Sequence, residues 1–285
     1  TTDVIEPRFI PGLPDEVDSI RSALQDPIDS PPLIELVKPG DEVVVVHTDI
    51  TRATPNDRIL PVLLAELESA GIRRRDITLL NGLGTHRHQT EEELRAMLGD
   101  FIVENYRCLQ HDCQDDPQLV SLGKTSFGHP VRVNRTYLEA DVRILTGFIE
   151  PHFFAGFSGG PKAVLPSLAG YESVFTNHGY AMISHPQATW GITDGNPIWE
   201  EMREVALHTK PTFLLNVTLN ARREITGVFA GDMLAAHAKG CAFVKKNAMV
   251  MVDAPYDVVI TTNSGYPLDQ NLYQSVKGMS AANQI

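Results

Sequence analysis

The segment Glu42–His47, EVVVVH, decides the fold. A run of valines of this kind is typical of a strand that is buried on both faces, as in a parallel sheet covered by helices. A periodic helical segment, Asn56–Ala70, follows, and ITLLN at Ile77–Asn81 is the next predicted strand. Thr90 and Glu93 have capping-box spacing, which predicts that a second helix starts at Thr90. The repeated strand–helix order predicts an α/β fold with a Rossmann-like, mostly parallel sheet covered by helices.

The alternation of predicted strands and helices continues toward the C-terminus, with one interruption. Residues 103–130 have few periodic positions, and we expect them to be irregular with a short strand pair. Residues 1–40 are rich in proline, so we expect an extended arm that contains one helix, Glu16–Leu24. We predict that residues 1–255 form one α/β domain and that residues 256–285 begin a second, incomplete one. The other predicted strands are 141–146, 212–219, 224–229 and 256–262, and the other predicted helices are 197–207, 233–246 and one from Asn271.

Composition narrows the class of protein. The chain has 285 residues, of which 42% are hydrophobic and 21% charged, as in soluble globular proteins. A net charge of −12 argues against nucleic acid or an anionic membrane as a partner, because the field of the protein would repel phosphates. The three cysteines are too few for a disulfide framework and fit a reducing compartment. With no apolar run near the roughly 20 residues of a membrane span, we expect a cytoplasmic protein.

Unusual polar residues follow several of the predicted strands. Ligands collect at the carboxyl ends of strands in open parallel sheets. The loops in question are DITR (49–52), GLGTHRH (82–88), GFIEPH through GGPK (147–162) and NSGYP (263–267). Arg52 could bind a carboxylate or phosphate, although a surface ion pair explains it equally well. His86, nearest the strand end, is a candidate catalytic base.

The longest of these loops brings several reactive residue types together. His152, Lys162 and His178 surround Gly159 and Gly160, and glycines let a backbone approach a ligand closely. The loop lacks the Gly-Lys-Ser/Thr order of a nucleotide triphosphate P-loop. The lysine could therefore be a covalent attachment point, a charge partner for a substrate or an ordinary surface residue. From the residues alone, the chain is an α/β enzyme with a histidine-rich site for an anionic ligand.

A larger set of motifs resembles the nickel-dependent lactate racemase family. The motifs are DITRATP (49–55), GLGTHRHQTEEEL (82–94), EPHFFAGFSGGPKAVLP (150–166), TNH (176–178), GNPIWEEM (195–202), FLLNVTLN (213–220), GVFAGD (227–232) and SGYPLDQNLYQSVKGM (264–279). Their order and spacing make the resemblance specific. Members of the family racemise or epimerise α-hydroxy acids with a nickel-pincer nucleotide as cofactor.

The resemblance implies a role for each matching residue near the cofactor. Lys162 resembles the lysine that joins the nickel-pincer nucleotide covalently, through a thioamide. His178 looks like the protein ligand of the nickel, and one imidazole suits a sulfur-rich tetragonal Ni(II) site. Gly159, Gly160 and Asp49 are expected to lie against the cofactor.

The resemblance also implies a mechanism. His86 and His152 resemble the two acid/base groups, which handle the hydroxyl proton of opposite enantiomers while hydride moves to and from the cofactor. Two such groups on opposite faces suit inversion through a planar keto acid. The residues expected around the substrate are Arg52, Tyr273, Gln274 and Lys277. The implied partners are a small α-hydroxy acid and the enzymes that make the cofactor; the sequence does not specify the oligomeric state.

Two departures from the family pattern leave other functions open. Ser167 stands where a glycine is expected, and family members continue well beyond Ile285 into a second domain that covers the site. One alternative is therefore a non-catalytic module that binds a hydroxy acid or a nucleotide. Another is a sugar-acid enzyme that needs no cofactor.

Overall fold

A computed structural model describes residues 2–263, 265, 269 and 272–285, with Tyr273 described by its backbone alone. The strands are β1 (Val43–Thr48), β2 (Ile77–Gly82), β3 (Arg107–Gln110), β4 (Leu119–Lys124), β5 (Pro130–Asn134), β6 (Val142–Phe148), β7 (Pro151–His152), β8 (Gly156–Phe157), β9 (Phe213–Leu219) and β10 (Ile225–Gly231). The helices are α1 (Glu16–Gln25), α2 (Asn56–Ser69), α3 (Glu91–Leu98), α4 (Asp100–Asn105), α5 (Arg135–Glu139), α6 (Tyr171–Asn177), α7 (Tyr180–Ile183), α8 (Pro197–Thr209), α9 (Met233–Ala248) and α10 (Leu272–Ala282). Among the described helices, none combines the length and apolar character needed to cross a bilayer.

The main sheet has six strands within the described residues, in the order β10-β9-β6-β1-β2-β3. Neighbouring strands are parallel except for the antiparallel pair of β9 and β10. Two separate antiparallel pairs, β4 with β5 and β7 with β8, lie outside this sheet. The predicted α/β fold with a mostly parallel sheet is confirmed.

The valines of β1 show why this strand is central. Val43 and Val45 belong to one hydrophobic cluster, together with apolar residues of α1 and α2. Val44 and Val46 point the other way, into a second cluster with residues of α8 and α9. Successive side chains of a strand face opposite sides, so the uninterrupted apolar run is explained by helices on both faces of the sheet.

The N-terminal helix is part of the domain, which corrects the expectation of an extended arm. Ile20 and Leu24 of α1 are fully buried in the same cluster as α2. Spaced four residues apart, they form one apolar stripe that must be covered. Glu16 also accepts a hydrogen bond of 2.7 Å from Arg58 of α2.

Residues 256–262 do not form the predicted strand. Val258 and Ile260 are 77% and 93% exposed, and the described residues of this segment form no strand. A strand needs a neighbouring strand to satisfy its backbone hydrogen bonds. The apolar pattern alone does not show whether such a neighbour is available. The predicted helix that follows is confirmed as α10, although Asn271, its expected first residue, lies outside the described part of the chain.

The irregular segment is more ordered than expected. The short strand pair is confirmed, as β4 and β5. In addition, β3 joins the main sheet beside β2, with Thr78 opposite Arg107 and Asn81 opposite Gln110. An edge strand with the partly exposed sequence RCLQ has no continuous apolar run, which is why the pattern did not reveal it.

Candidate active site

The site lies where β6, β1 and β2 end, side by side in the sheet. Because the strands are parallel, the segments that follow them meet at one edge and enclose a single cavity. The predicted site residues that line this cavity are Asp49, Arg52, His86, His152, Lys162, His178, Gln274 and Lys277. Residues from the loops after β1, β2 and β6, from the end of α6 and from α10 are thus brought together.

His86 and Asp49 form a hydrogen-bonded pair. Asp49 follows β1, His86 follows β2, and Nδ1 of His86 is bonded to a carboxylate oxygen of Asp49. The other carboxylate oxygen accepts hydrogen bonds from the amide and hydroxyl of Thr51, at 2.8 and 2.5 Å. Burial opposes ionisation of Asp49, but the bond from His86 and the charge of Arg52 outweigh it and lower the pKa of Asp49 to about 2.

This pairing sets the tautomer of His86. An ionised carboxylate can only accept, so Nδ1 of His86 carries the proton and Nε2 keeps its lone pair in the neutral ring. The imidazole is 23% exposed and lines the cavity, while Asp49 beneath it is 3% exposed. His86 is therefore oriented to accept a proton at Nε2, and Asp49 is its positioning residue.

His152 has the opposite arrangement. Its Nδ1 accepts hydrogen bonds from the amides of Phe154 and Ala155, at 3.5 and 3.3 Å. Burial, with the positive charges of Lys162 and Arg52, lowers the pKa of His152 well below its usual range. The neutral ring therefore carries its proton on Nε2, so His152 presents a donor where His86 presents a lone pair.

Lys162 is a buried amine on a tight turn. It belongs to the 3₁₀ turn Gly160–Ala163, and its side chain is buried beside the ring of Phe154. Among the described residues, none forms a hydrogen bond or ion pair with its Nζ. Burial, with the nearby cations Arg52 and Lys277, lowers the pKa of Lys162 to about 7. A substantial fraction of this lysine is therefore a neutral nucleophile near neutral pH.

His178 follows α6 and faces the same cavity. Burial and the charge of Lys162 lower its pKa to about 3, so the imidazole is neutral. Nδ1 is buried, and no described residue forms a hydrogen bond with it. The Phe154 ring packs edge-on against the imidazole at 4.9 Å, which restricts its orientation.

The charge of the cavity favours an anion. Arg52 and Lys277 line it with Lys162, and burial lowers the pKa of Lys277. The nearest opposing charges are Asp49 and Glu150, and burial raises the pKa of Glu150 against the attraction of the three cations. A positively charged cavity in a protein of net charge −12 is a local feature built by these side chains.

Two predicted residues do not line the described cavity, and the side chain of a third is not described. Gly159 and Gly160 do not line the cavity, and their contact with a cofactor stays a prediction. Both have positive φ, and a Cβ on either would face the protein, 2.5 Å from Asn216 or His237. Tyr273 lies in α10, but its side chain is outside the described residues.

Some residues of the site were missed from the sequence. Phe153 and Phe154 line the cavity and pack on His152, at ring distances of 4.9 and 4.5 Å. Ser167, the departure from the family pattern, lines the cavity and donates a 2.8 Å hydrogen bond to the carbonyl of Lys162. The sequence signal that could have identified Phe153 and Phe154 was a pair of adjacent aromatic residues between a histidine and a glycine loop. For Glu150, the only sequence signal was its position directly before Pro151.

Comparisons with known proteins show which family this chain resembles. The family model for the lactate racemase N-terminal domain matches residues 1–191, and the model for the lactate racemase C-terminal domain matches residues 251–285. Lactate racemase from Lactiplantibacillus plantarum is 42% identical over 268 residues, which cover 94% of this chain and 62% of that protein. Lactate racemase from Thermoanaerobacterium thermosaccharolyticum is 39% identical over 266 residues, with 93% and 62% covered.

Solved structures show the same fold. The lactate racemase apoprotein from Thermoanaerobacterium thermosaccharolyticum superposes with a TM-score of 0.88 at 38% identity, covering 96% of this chain and 65% of that chain. A Thermotoga maritima protein superposes with a TM-score of 0.72 at 26% identity, covering 87% and 63%. The chain thus spans about three fifths of the length of these relatives, since 62% of each lactate racemase is covered. On the strength of the N-terminal family match and the fold, the chain belongs to the lactate racemase family.

Proposed function

We propose that this protein is an α-hydroxy acid racemase or epimerase, an isomerase that acts on lactate or a close relative. The observation that carries the proposal is the convergence of His86, Lys162 and His178 on one cationic cavity. A base, a neutral amine and a neutral imidazole are the groups that such a reaction and its cofactor require. Family membership supports the same reaction class.

The domain organisation is part of the proposal. Residues 1–255 would carry the cofactor-anchoring side chains, and residues 256–285 would begin the second domain. The separate match of the C-terminal family model to residues 251–285 supports a division near this point. Lys277 and Gln274 of α10 reach the cavity from this side.

The residues present fit the nickel-pincer nucleotide. Among the described residues, no three His, Cys, Asp or Glu side chains cluster to hold a metal, so nickel bound by His178 would have to bring its other ligands with it. The neutral imidazole with a buried, unpartnered Nδ1 is suited to be the one protein ligand. Lys162, with its lowered pKa, is suited to be the covalent attachment point. When bound, this cofactor would supply a hydride acceptor beside the substrate.

The cations of the cavity would hold the substrate. A hydroxy acid carries one carboxylate, and Arg52 can bind it with two parallel hydrogen bonds. Lys277 adds a second positive charge, and the buried Gln274 lies on the same helix. The aromatic rings of Phe153 and Phe154 would limit the access of water to the reacting carbon.

The two histidines would handle the hydroxyl proton. His86 would accept it at Nε2, and Asp49 would stabilise the imidazolium that forms. His152 would donate a hydrogen bond from Nε2 to the substrate oxygen. To accept a proton there, His152 would have to carry hydrogen on Nδ1 and release the bonds from Phe154 and Ala155. We therefore expect the pH dependence of kcat to differ between the two directions, whereas the ratio of the two kcat/KM values is fixed by the equilibrium constant at every pH.

The proposal is tested on protein produced together with the cofactor-making enzymes. Intact-mass analysis should show an adduct that is absent from Lys162→Ala and present in the control Lys239→Ala, a change at an exposed lysine. Chiral analysis after incubation with single enantiomers of several α-hydroxy acids should show inversion of at least one. An unmodified Lys162, or hydroxy acids that bind without inversion, would refute the proposal and favour a binding module.

A further inference from the structure

Two buried side chains hold the turn that carries Lys162. Asn216 lies in β9 and is 0% exposed; its Oδ1 accepts a 2.9 Å hydrogen bond from the amide of Gly160. His237 lies in α9 and is 1% exposed; its Nε2 donates a 2.9 Å hydrogen bond to the carbonyl of Ser158. Both bonds reach backbone groups within four residues of Lys162, from elements outside the loop itself.

The fit between these side chains and the loop is close. A Cβ on Gly159 would lie 2.5 Å from Oδ1 of Asn216, and a Cβ on Gly160 would lie 2.5 Å from Cγ of His237. Real Cβ contacts are longer than this, so the two glycines allow the backbone to rest directly on the two polar side chains. The turn cannot move toward either of them.

Nothing else on the described chain fixes the amine. Nζ of Lys162 makes no hydrogen bond or ion pair with a described residue, and its nearest recorded partner is the face of Phe154, 5.8 Å away. A flexible four-carbon side chain without a partner for its head group takes its position from its backbone. The backbone in turn is held by the bonds at Ser158 and Gly160, together with that from Ser167 to the Lys162 carbonyl.

We propose that Asn216 and His237 are positioning residues, which keep the Lys162 amine buried and reactive in the cavity for attachment of the cofactor. The inference rests on the proposed function, in which Lys162 is the attachment point. Both side chains act through the backbone of the turn, and neither lines the described cavity.

The test is the pH profile of Lys162 labelling by cyanate in cofactor-free protein, followed by peptide mass mapping. Cyanate adds to neutral amines, so the midpoint reports the pKa of Lys162, which burial and the nearby cations lower to about 7. Asn216→Ala and His237→Ala should raise the midpoint by about one unit, which slows labelling at pH 7 about fivefold. His237→Gln keeps a donor near Nε2 and should restore the wild-type midpoint.

A matched control separates positioning from stability. His111 is also fully buried and donates from Nε2 to a backbone carbonyl, that of Ala169, at 3.1 Å. His111→Ala should lower the melting temperature without moving the midpoint. Unchanged midpoints in both Asn216→Ala and His237→Ala, or an equal shift in His111→Ala, would overturn the inference. A wild-type midpoint near 7 with no cofactor adduct would instead count against the proposed function.

Discussion

Replacing Asp49 by asparagine removes the charge that pairs with His86 and preserves the shape of the side chain. Asparagine has one acceptor oxygen and an NH2 group in place of the second oxygen, so it cannot accept from both Thr51 and Nδ1 of His86. The perturbation therefore removes one negative charge and one hydrogen-bond acceptor. It affects a buried carboxylate whose pKa is lowered from 3.8 to about 2, because the His86 bond and the Arg52 charge outweigh the effect of burial.

The size of the effect follows from linkage. A carboxylate with a lowered folded-state pKa stabilises the protein above its unfolded pKa of 3.8 and loses this contribution as pH falls through about 2. The shift corresponds to about 2 kcal/mol at pH 7. By pH 3 about half of it should remain. Asp49→Asn should therefore lower the free energy of unfolding by about 2 kcal/mol at pH 7 and by about 1 kcal/mol at pH 3.

Urea denaturation of cofactor-free protein between pH 3 and pH 8 measures this difference. The combination with His86→Ala completes a double-mutant cycle, which isolates the Asp49–His86 interaction from that with Arg52. We expect a coupling free energy of at least about 1 kcal/mol at pH 7. If the proposed function holds, loaded Asp49→Asn should also lose about 100-fold or more in kcat, since the base loses the carboxylate that stabilises its charge. A stability difference that does not change with pH, or strictly additive variants, would refute the reasoning.

Three further changes test other parts of the site. Lys162→Met should stabilise the cofactor-free protein at pH 7 by at least about 2 kcal/mol, because burial makes the protonated amine of Lys162 unfavourable in the folded state. The wild type should then gain more stability than Lys162→Met in urea titrations as pH rises from 7 to 10, and equal gains in both would contradict this. Gly160→Ala would place a Cβ 2.5 Å from His237 and should be destabilised by at least about 2 kcal/mol more than Gly128→Ala, whose φ is also positive but which has open space around it. Thermal melts of the two variants compare them directly, and equal melting temperatures would contradict the clash. Glu201→Gln disrupts a buried carboxylate that accepts three side-chain hydrogen bonds, so chemical denaturation should show a loss of about 2 to 3 kcal/mol, and a loss below about 0.5 kcal/mol would contradict it.

The main features of the fold were predictable because burial on both faces leaves a simple pattern. The valines of β1 and the apolar run of β2 could only belong to a covered sheet, and the helices between them have clear periodicity. The edge strand β3 was not predicted because it is partly exposed to solvent, so its sequence lacks the continuous apolar run of a buried strand. The strand expected at residues 256–262 was wrong because an apolar pattern does not show whether a neighbouring strand is available.

The location of the site was also predictable, since parallel strands place their following loops at one edge. The proton positions on the rings of His86 and His152 could not be predicted, because they depend on which groups form hydrogen bonds with Nδ1 of each ring. The glycines before Lys162 were interpreted as room for a ligand, whereas their α-carbons face Asn216 and His237. Side chains that reach a loop from 56 and 79 residues further along the chain leave no local signal.

The distance along the chain between Ser158 and His237 has a consequence for the order of folding. The bond between them spans 79 residues, and the bond from Gly160 to Asn216 spans 56. Contacts of this sequence separation form late, because a long loop must close before they stabilise anything. The turn around Lys162 therefore reaches its final shape only after β9 and α9 have docked. A growing or partly folded chain would display an ordinary, protonated lysine, so the reactivity of this amine itself reports that the domain has finished folding.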